Sequence, residues 1–289
     1  MHVHGDNLQQ KETTEVKYAD AESRQFLREI RQQYEVWRTA NQELKGPSRS
    51  AMPQDTDTLR QRIAHFTTYK NFIDQQKYAE KFDSRSNLHS SVLEEFIYFL
   101  FRDLVREFTE NALIGKANTF KDIFFMPPNY TSMLETPHAH IEKKDHDFAI
   151  VVSVSARLNC AGQEKGELHH FQIPAVAIEC KTYLDKTMLE GSSTAAEQLK
   201  FRNPNALYIV VAEWLKLTEN VNLRKFKVDQ IYVLRKQKNT DREYRFLPDY
   251  EKNPIYPDVV EHLFNTVRTH LTTNWEGGVS YGLERGYLL

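Results

Sequence analysis

The sequence predicts an α/β protein, a mixed central sheet flanked by helices, with helical additions at both ends of the chain. Three observations carry this expectation. Residues 148–155 and 170–183 are apolar, β-rich runs separated by the turn composition of 159–167, with Gly162 and Gly166, which is the pattern of an antiparallel hairpin. Residues 207–212 form a continuous apolar run, typical of a central strand covered on both faces. Helical periodicity fills the chain before, between and after these strands.

At 289 residues the chain can hold one large domain or two small ones. The expected divisions are a helical region over 1–85, a core over 86–246 and a C-terminal helix and tail over 247–289. With 40% hydrophobic and 27% charged residues the composition excludes a disordered chain. A formal charge of -2 excludes a uniformly basic coat but leaves room for a local basic face. Two cysteines, Cys160 and Cys180, cannot form a multi-bridge framework, so a reducing cytoplasm is expected. The N-terminus lacks the basic and apolar regions of a signal peptide, and no apolar run approaches the roughly 18 residues that span a bilayer, so no membrane association is expected.

In chain order, residues 16–45 read as one amphipathic helix with Phe26, Ile30, Tyr34 and Trp37 inside, stopped by Gly46-Pro47. A polar linker, 48–53, leads to a second helix over 56–80, with Leu59, Ile63, Phe66, Tyr69, Phe72 and Ile73 as an uneven apolar face. Ser91 and Glu94 have the spacing of a capping box, opening a strongly apolar helix over 92–105. Its stripe is Leu93, Phe96, Ile97, Leu100 and Leu104, with Glu94 and Glu95 flanking it on opposite sides. The bland reading makes Glu94 a cap and leaves Glu95 in solvent. Residues 120–129 form a short aromatic segment broken by Pro127-Pro128. Downstream, 185–201 reads as a helix, 228–234 as a strand and 257–272 as a helix; the aromatic, glycine-interrupted tail 275–289 carries no assigned element.

Chemistry concentrates at residues 174–183, where an apolar strand carries Glu179 and Lys181. Residues two apart on a strand share a face, so these two point one way with Ala177, while Val176, Ile178 and Cys180 point the other. The hairpin brings Asp147, at the mouth of the strand that starts at Phe148, towards them. Two carboxylates and an ammonium suit phosphodiester hydrolysis. A hard divalent metal held by one or two carboxylates lowers the pKa of bound water and screens the phosphate, and a compact ammonium neutralises developing charge.

The order of Asp147, hairpin, Glu179-Cys-Lys181, helix and strand 207–212, preceded by a helix bearing Glu94 or Glu95, resembles the PD-(D/E)XK nuclease superfamily. That superfamily has a restriction-endonuclease-like α-β-β-β-α-β core, and the resemblance covers about half the chain. More narrowly, Ser90-Ser-Val-Leu-Glu-Glu-Phe96 together with the segment 179–191 is similar to subunits of the BbvCI type, Type II restriction enzymes built from two different chains. The resemblance implies Asp147 and Glu179 as Mg2+ ligands, Lys181 as the catalytic lysine, and Glu94 or Glu95 as a further acid. It also implies double-stranded DNA as substrate, 5′-phosphate and 3′-hydroxyl products, and a homodimer or a heterodimer with a related subunit in which each chain cuts one strand; the sequence has no phosphate-cradling glycine loop, so no nucleotide cofactor is expected. Residue 146 is His where the short motif places Pro, which keeps Asp145 as an alternative ligand.

The bland readings are a strand-initiating Asp147 and a surface charge pair for Glu179 and Lys181, worth about 0.5 kcal/mol. The pair is hard to read that way, because its strand is apolar and unpaired charge near a core is costly. His138, His140, His146 and the pair His169-His170 raise a zinc site, but without cysteines or a helical His-Glu-x-x-His they read as solvated loop histidines. The stretch 216–245 carries a local positive balance that suits a DNA backbone. The candidate phosphate contacts are Lys186, Lys200, Arg202, Arg224, Lys225 and Lys227, and the N-terminal helices are a candidate DNA clamp or subunit contact. Alternative functions are a repair or resolvase nuclease on the same core and a catalytically silent DNA-binding subunit.

Overall fold

A computed structural model describes residues 2–82, 86–109, 113–238, 247 and 249–287. Helix α1 (Val3–Thr13) leads into α2 (Ala21–Glu43), α3 (Asp55–Ile73), α4 (Gln76–Lys81) and α5 (Leu88–Arg106). Strand β1 (Leu113–Phe125), the short α6 (Tyr130–Glu135), β2 (Ala139–Leu158) and β3 (Glu167–Leu184) follow. Next come α7 (Lys186–Arg202), β4 (Leu207–Leu215), β5 (Gln230–Val233), α8 (Pro257–Thr272) and α9 (Val279–Arg285).

The strands form one mixed sheet in the order β1-β2-β3-β4-β5. β1, β2 and β3 are antiparallel neighbours, whereas β3, β4 and β5 run parallel, with α7 as the crossover between β3 and β4. The α/β class and the helix-strand-strand-strand-helix-strand succession from α5 to β4 match the expectation. Pro174 is accommodated in β3 because the ladder skips a residue there: Val151 pairs with Pro174 and Ile150 with Val176.

One face of the sheet packs against α5, whose side chains from Leu88 to Val105 are almost all buried. Val176, Ile178 and Cys180 belong to this side, in one contiguous core with Leu8 of α1, Tyr34 of α2, Phe66 of α3 and Phe264 of α8. Ala177 and Tyr208 join Ala195, Ala196 and Leu199 of α7 in a separate cluster, and Leu184 and Val210 pack with Leu189 in another. The two faces assigned by strand alternation are therefore the two sides observed. Among the described residues no helix is long and apolar enough to cross a membrane.

Several boundaries differ from the expectation for local reasons. The helix expected to start at residue 16 starts at Ala21, because Tyr18 has positive φ and the Asp20 carboxylate caps the Ser23 amide at 2.9 Å. α1 upstream was not predicted. The helix expected over 56–80 breaks after Ile73, where the buried Asp74 carboxylate accepts from Lys70. Ser91 and Glu94 do not form a capping box: α5 begins three residues before Ser91, preceded by the left-handed Asn87, and Ser91 Oγ lies inside the helix, 2.8 Å from the His4 ring.

The largest difference is β1. Where only a short aromatic segment was expected, a thirteen-residue strand pairs with the polar run 139–146 and draws it into β2. Asp147 is consequently in the interior of a long strand and not at its mouth. The ladder pairs Gly115 with Ala149 and Ala117 with His146, so Asp147 and Phe148 together face Lys116. Two residues opposing one is a β-bulge, which re-aims side chains along the bulged strand.

Candidate active site

β2 and β3 pair as far as Phe148 and Ile178, and beyond that pair the Asp147 side chain takes over: its Oδ2 accepts from the Cys180 amide at 2.9 Å. The same oxygen lies 3.1 Å from Lys181 Nζ, which also donates to Glu179 Oε2 at 2.9 Å. One ammonium thus sits between two carboxylates brought together from residues 147 and 179. Glu179 Oε1, the other oxygen, accepts from Tyr208 Oη at 3.2 Å and lies 3.5 Å from His146 Nδ1.

The electrostatics follow from holding charged groups together in part-buried surroundings. Burial opposes the charge on Lys181, but Asp147 and Glu179 outweigh it and hold the ammonium above the ordinary lysine range. Burial would also raise Glu179, yet the His146 ring and Lys181 pull its carboxyl down to about 2. Asp147 is raised by burial, which Lys181 offsets in part and Glu179 reinforces. Glu94, on α5, is pushed up to about 7 by burial and then by Asp147, while Lys116 and Lys181 act in the opposite direction. Glu94 is thus close enough to feel the charges of Asp147, Glu179 and Lys181.

The family model of the Bpu10I restriction endonuclease matches residues 85–288. The chain belongs to the Bpu10I restriction endonuclease family. A solved structure, described as the native BbvCI A2B2 tetramer at low resolution, superimposes with a TM-score of 0.68 at 20% identity, covering 94% of this chain and 97% of that one. No similar sequence was found among curated proteins. The restriction-endonuclease-like fold expected from the resemblance is the fold observed.

Within this family member the two neighbouring glutamates of α5 have different surroundings. Glu95 is fully buried among the N-terminal helices: its Oε2 accepts the amides of His4 and Gly5 at 2.8 and 3.2 Å, and Oε1 accepts the Tyr34 hydroxyl at 2.9 Å. Adjacent helical residues point about 100° apart, so Glu94 reaches the sheet and Glu95 reaches α1. Asp145 is exposed on β2 and pairs across the ladder with Asn118.

The basic candidates scatter. Arg202 makes a bidentate pair with Asp122, and Lys200 is tied to Asp229 and to the Lys227 carbonyl. Lys186 is exposed, 3.8 Å from Glu190 on its own helix. Arg224 and Lys225 occupy a short 3-10 turn at the surface, and Lys227 follows it. Further along the basic stretch Lys236 pairs with Asp258 and Lys238 with Glu219, while Arg242 and Arg245 lie outside the described residues. Lys200, Arg202, Lys236 and Lys238 are thus paired with acids, whereas Arg224, Lys225 and Lys227 stand exposed at the surface.

Of the histidines read as solvated loop residues, His138 does lie in a loop and His140 and His170 are exposed, whereas His146 departs from the expectation. His146 is 1% exposed on β2, edge-on to Tyr208. His138 is hydrogen-bonded to Ser132 and Thr136, His140 stacks on Phe124, and His169 and His170 lie on β3. Among the described residues no three His, Cys, Asp or Glu side chains form a ready-made metal cage. Three residues near the centre were missed by sequence reasoning: Tyr208, hidden in a run read as core strand; Lys116, on the unpredicted β1; and His146 as a buried neighbour of Glu179.

Proposed function

We propose that this chain is a Mg2+-dependent endodeoxyribonuclease of the Type II restriction kind, working with a second copy or a related subunit on double-stranded DNA. The observation that carries the reading is the convergence of Asp147 Oδ2 and Glu179 Oε2 on one cation, the Lys181 ammonium, within about 3 Å of each. Two carboxylates that close around a positive charge are a donor set that fits Mg2+, which binds through one or two carboxylates and keeps several waters. Asp147 and Glu179 would hold it, with Glu94 as a nearby third acid. When bound, Mg2+ supplies a water of lowered pKa and screens the phosphate.

Lys181, hydrogen-bonded to both carboxylates, serves as a hydrogen-bond donor and a counter-charge to the extra-negative phosphorus centre. Water attacks phosphorus, the bond to the 3′ oxygen breaks, and the products carry 5′-phosphate and 3′-hydroxyl ends. Family membership supports a nuclease, and the A2B2 composition of the structurally similar protein supports a working form of more than one chain.

The test is incubation of the purified chain, alone and with a candidate related subunit, with long mapped duplex DNA and Mg2+. Discrete fragments or site-specific nicks that vanish in Glu179→Ala and Lys181→Ala, with DNA binding retained, are the expected result. Cutting confined to branched DNA would favour a resolvase, and DNA binding with no cleavage in any combination would favour a silent subunit. Undiminished cutting by either variant would remove the site assignment.

A further inference from the structure

His146 carries chemistry that the catalytic reading leaves unused. Its ring is 1% exposed, and both ring nitrogens lack a hydrogen-bond partner among the described residues. Buried polar atoms are nearly always paired, so an imidazole in this state calls for a specific account. The β-bulge at Asp147 and Phe148 is what turns the ring inward, and there Nδ1 stands 3.5 Å from Glu179 Oε1, slightly beyond a full hydrogen bond. Tyr208 Oη already donates to that oxygen at 3.2 Å, and the Tyr208 ring stands edge-on to the imidazole at 5.8 Å between centroids. The other oxygen, Oε2, is the one that faces Lys181.

We infer that His146 is a positioning residue, holding Glu179 Oε1 jointly with Tyr208 so that Oε2 stays turned towards Asp147 and a bound divalent metal. The inference rests on the metal-centre reading of Asp147 and Glu179. A donor behind a ligating carboxylate fixes its rotamer before the metal arrives, and removing such a partner weakens metal binding by about 10- to 100-fold. The donor is the Nδ1 hydrogen, so its loss, and not the loss of ring volume, is what matters.

The experiment is a Mn2+ titration of the metal-free protein, followed by electron paramagnetic resonance of the free ion, for the wild type and for His146→Phe, His146→Gln and Glu179→Ala. His146→Phe keeps a ring against Tyr208 but has no donor, and is expected to weaken Mn2+ binding by about 10- to 100-fold. His146→Gln, whose amide restores a donor, is expected within about threefold of wild type by the same reasoning. Glu179→Ala should bind no Mn2+ at this centre. If His146→Phe binds like wild type while Glu179→Ala does not, the positioning role is wrong and the metal centre stands. If the wild type binds no Mn2+, both fall. Should His146→Phe fail to fold, His146→Gln matched against His146→Leu decides the same question, and equal affinities in those two would overturn the inference.

Discussion

Asp147 Oδ2 accepts the backbone amide of Cys180 at 2.9 Å, locking the aspartate across the strand pair one step beyond Phe148 and Ile178. That bond separates the two aspartates that the sequence leaves as alternatives. Asp145 is exposed and two residues away, with no corresponding anchor to β3 among its described contacts. Asp147→Asn is expected to lower cleavage by at least about 100-fold, the scale on which loss of an electrostatic partner acts at a reacting centre, whereas Asp145→Asn stays within about threefold. Single-turnover rates on one duplex distinguish them.

Burial and Asp147 push the Glu94 carboxyl up to about 7 from an ordinary 4.5, so the folded protein holds this proton more tightly than the unfolded chain does. Stability contributed this way is present below the unfolded pKa and lost as pH rises through 4.5 to about 7. Glu94→Gln removes the cost of ionisation. In metal-free protein the variant is expected to be more stable than wild type by about 1–3 kcal/mol near pH 8 and equally stable near pH 4. Urea midpoints at the two pH values check this, and equal midpoints near pH 8 would contradict the buried placement of Glu94.

Glu95 leads to the opposite expectation from its neighbour. It binds the amides of His4 and Gly5 at the start of α1, where a negative charge also suits the helix dipole. Gly5 is part of the fit, since a Cβ there would stand 2.3 Å from Tyr34 Oη. Glu95→Ala leaves buried donors unmet and should destabilise the fold by about 2–4 kcal/mol. Below its lowered melting temperature it should still cut within about tenfold of wild type, an outcome that a catalytic Glu95 does not permit.

The basic residues divide in the same manner. Arg202 already satisfies its guanidinium on Asp122, whereas Lys225 stands exposed over the Phe226 ring. Lys225→Ala is expected to weaken DNA binding and to reduce the slope of log affinity against log salt by about 1, with Arg202→Ala leaving that slope unchanged. Binding measured across a salt series reads both, and an unchanged slope in Lys225→Ala would remove that residue from the DNA surface.

What the sequence determined by itself was local in origin. Strand alternation placed Glu179 and Lys181 on the face with Ala177, the turn composition of 159–167 made β2 and β3 a hairpin, and the apolar run 207–212 made β4 a central strand. These follow from periodicity and from the preferences of neighbouring residues, which a single chain displays in order. Tertiary structure decided the rest. β1 is half-exposed and acquires its strand identity only by pairing with β2, so neither segment advertises it alone. The choice between Glu94 and Glu95 depends on what lies beyond each side of α5, the strands on one and α1 on the other. His146 and Tyr208 come to Glu179 from strands on either side of it, through a bulge and a parallel register that no local pattern encodes.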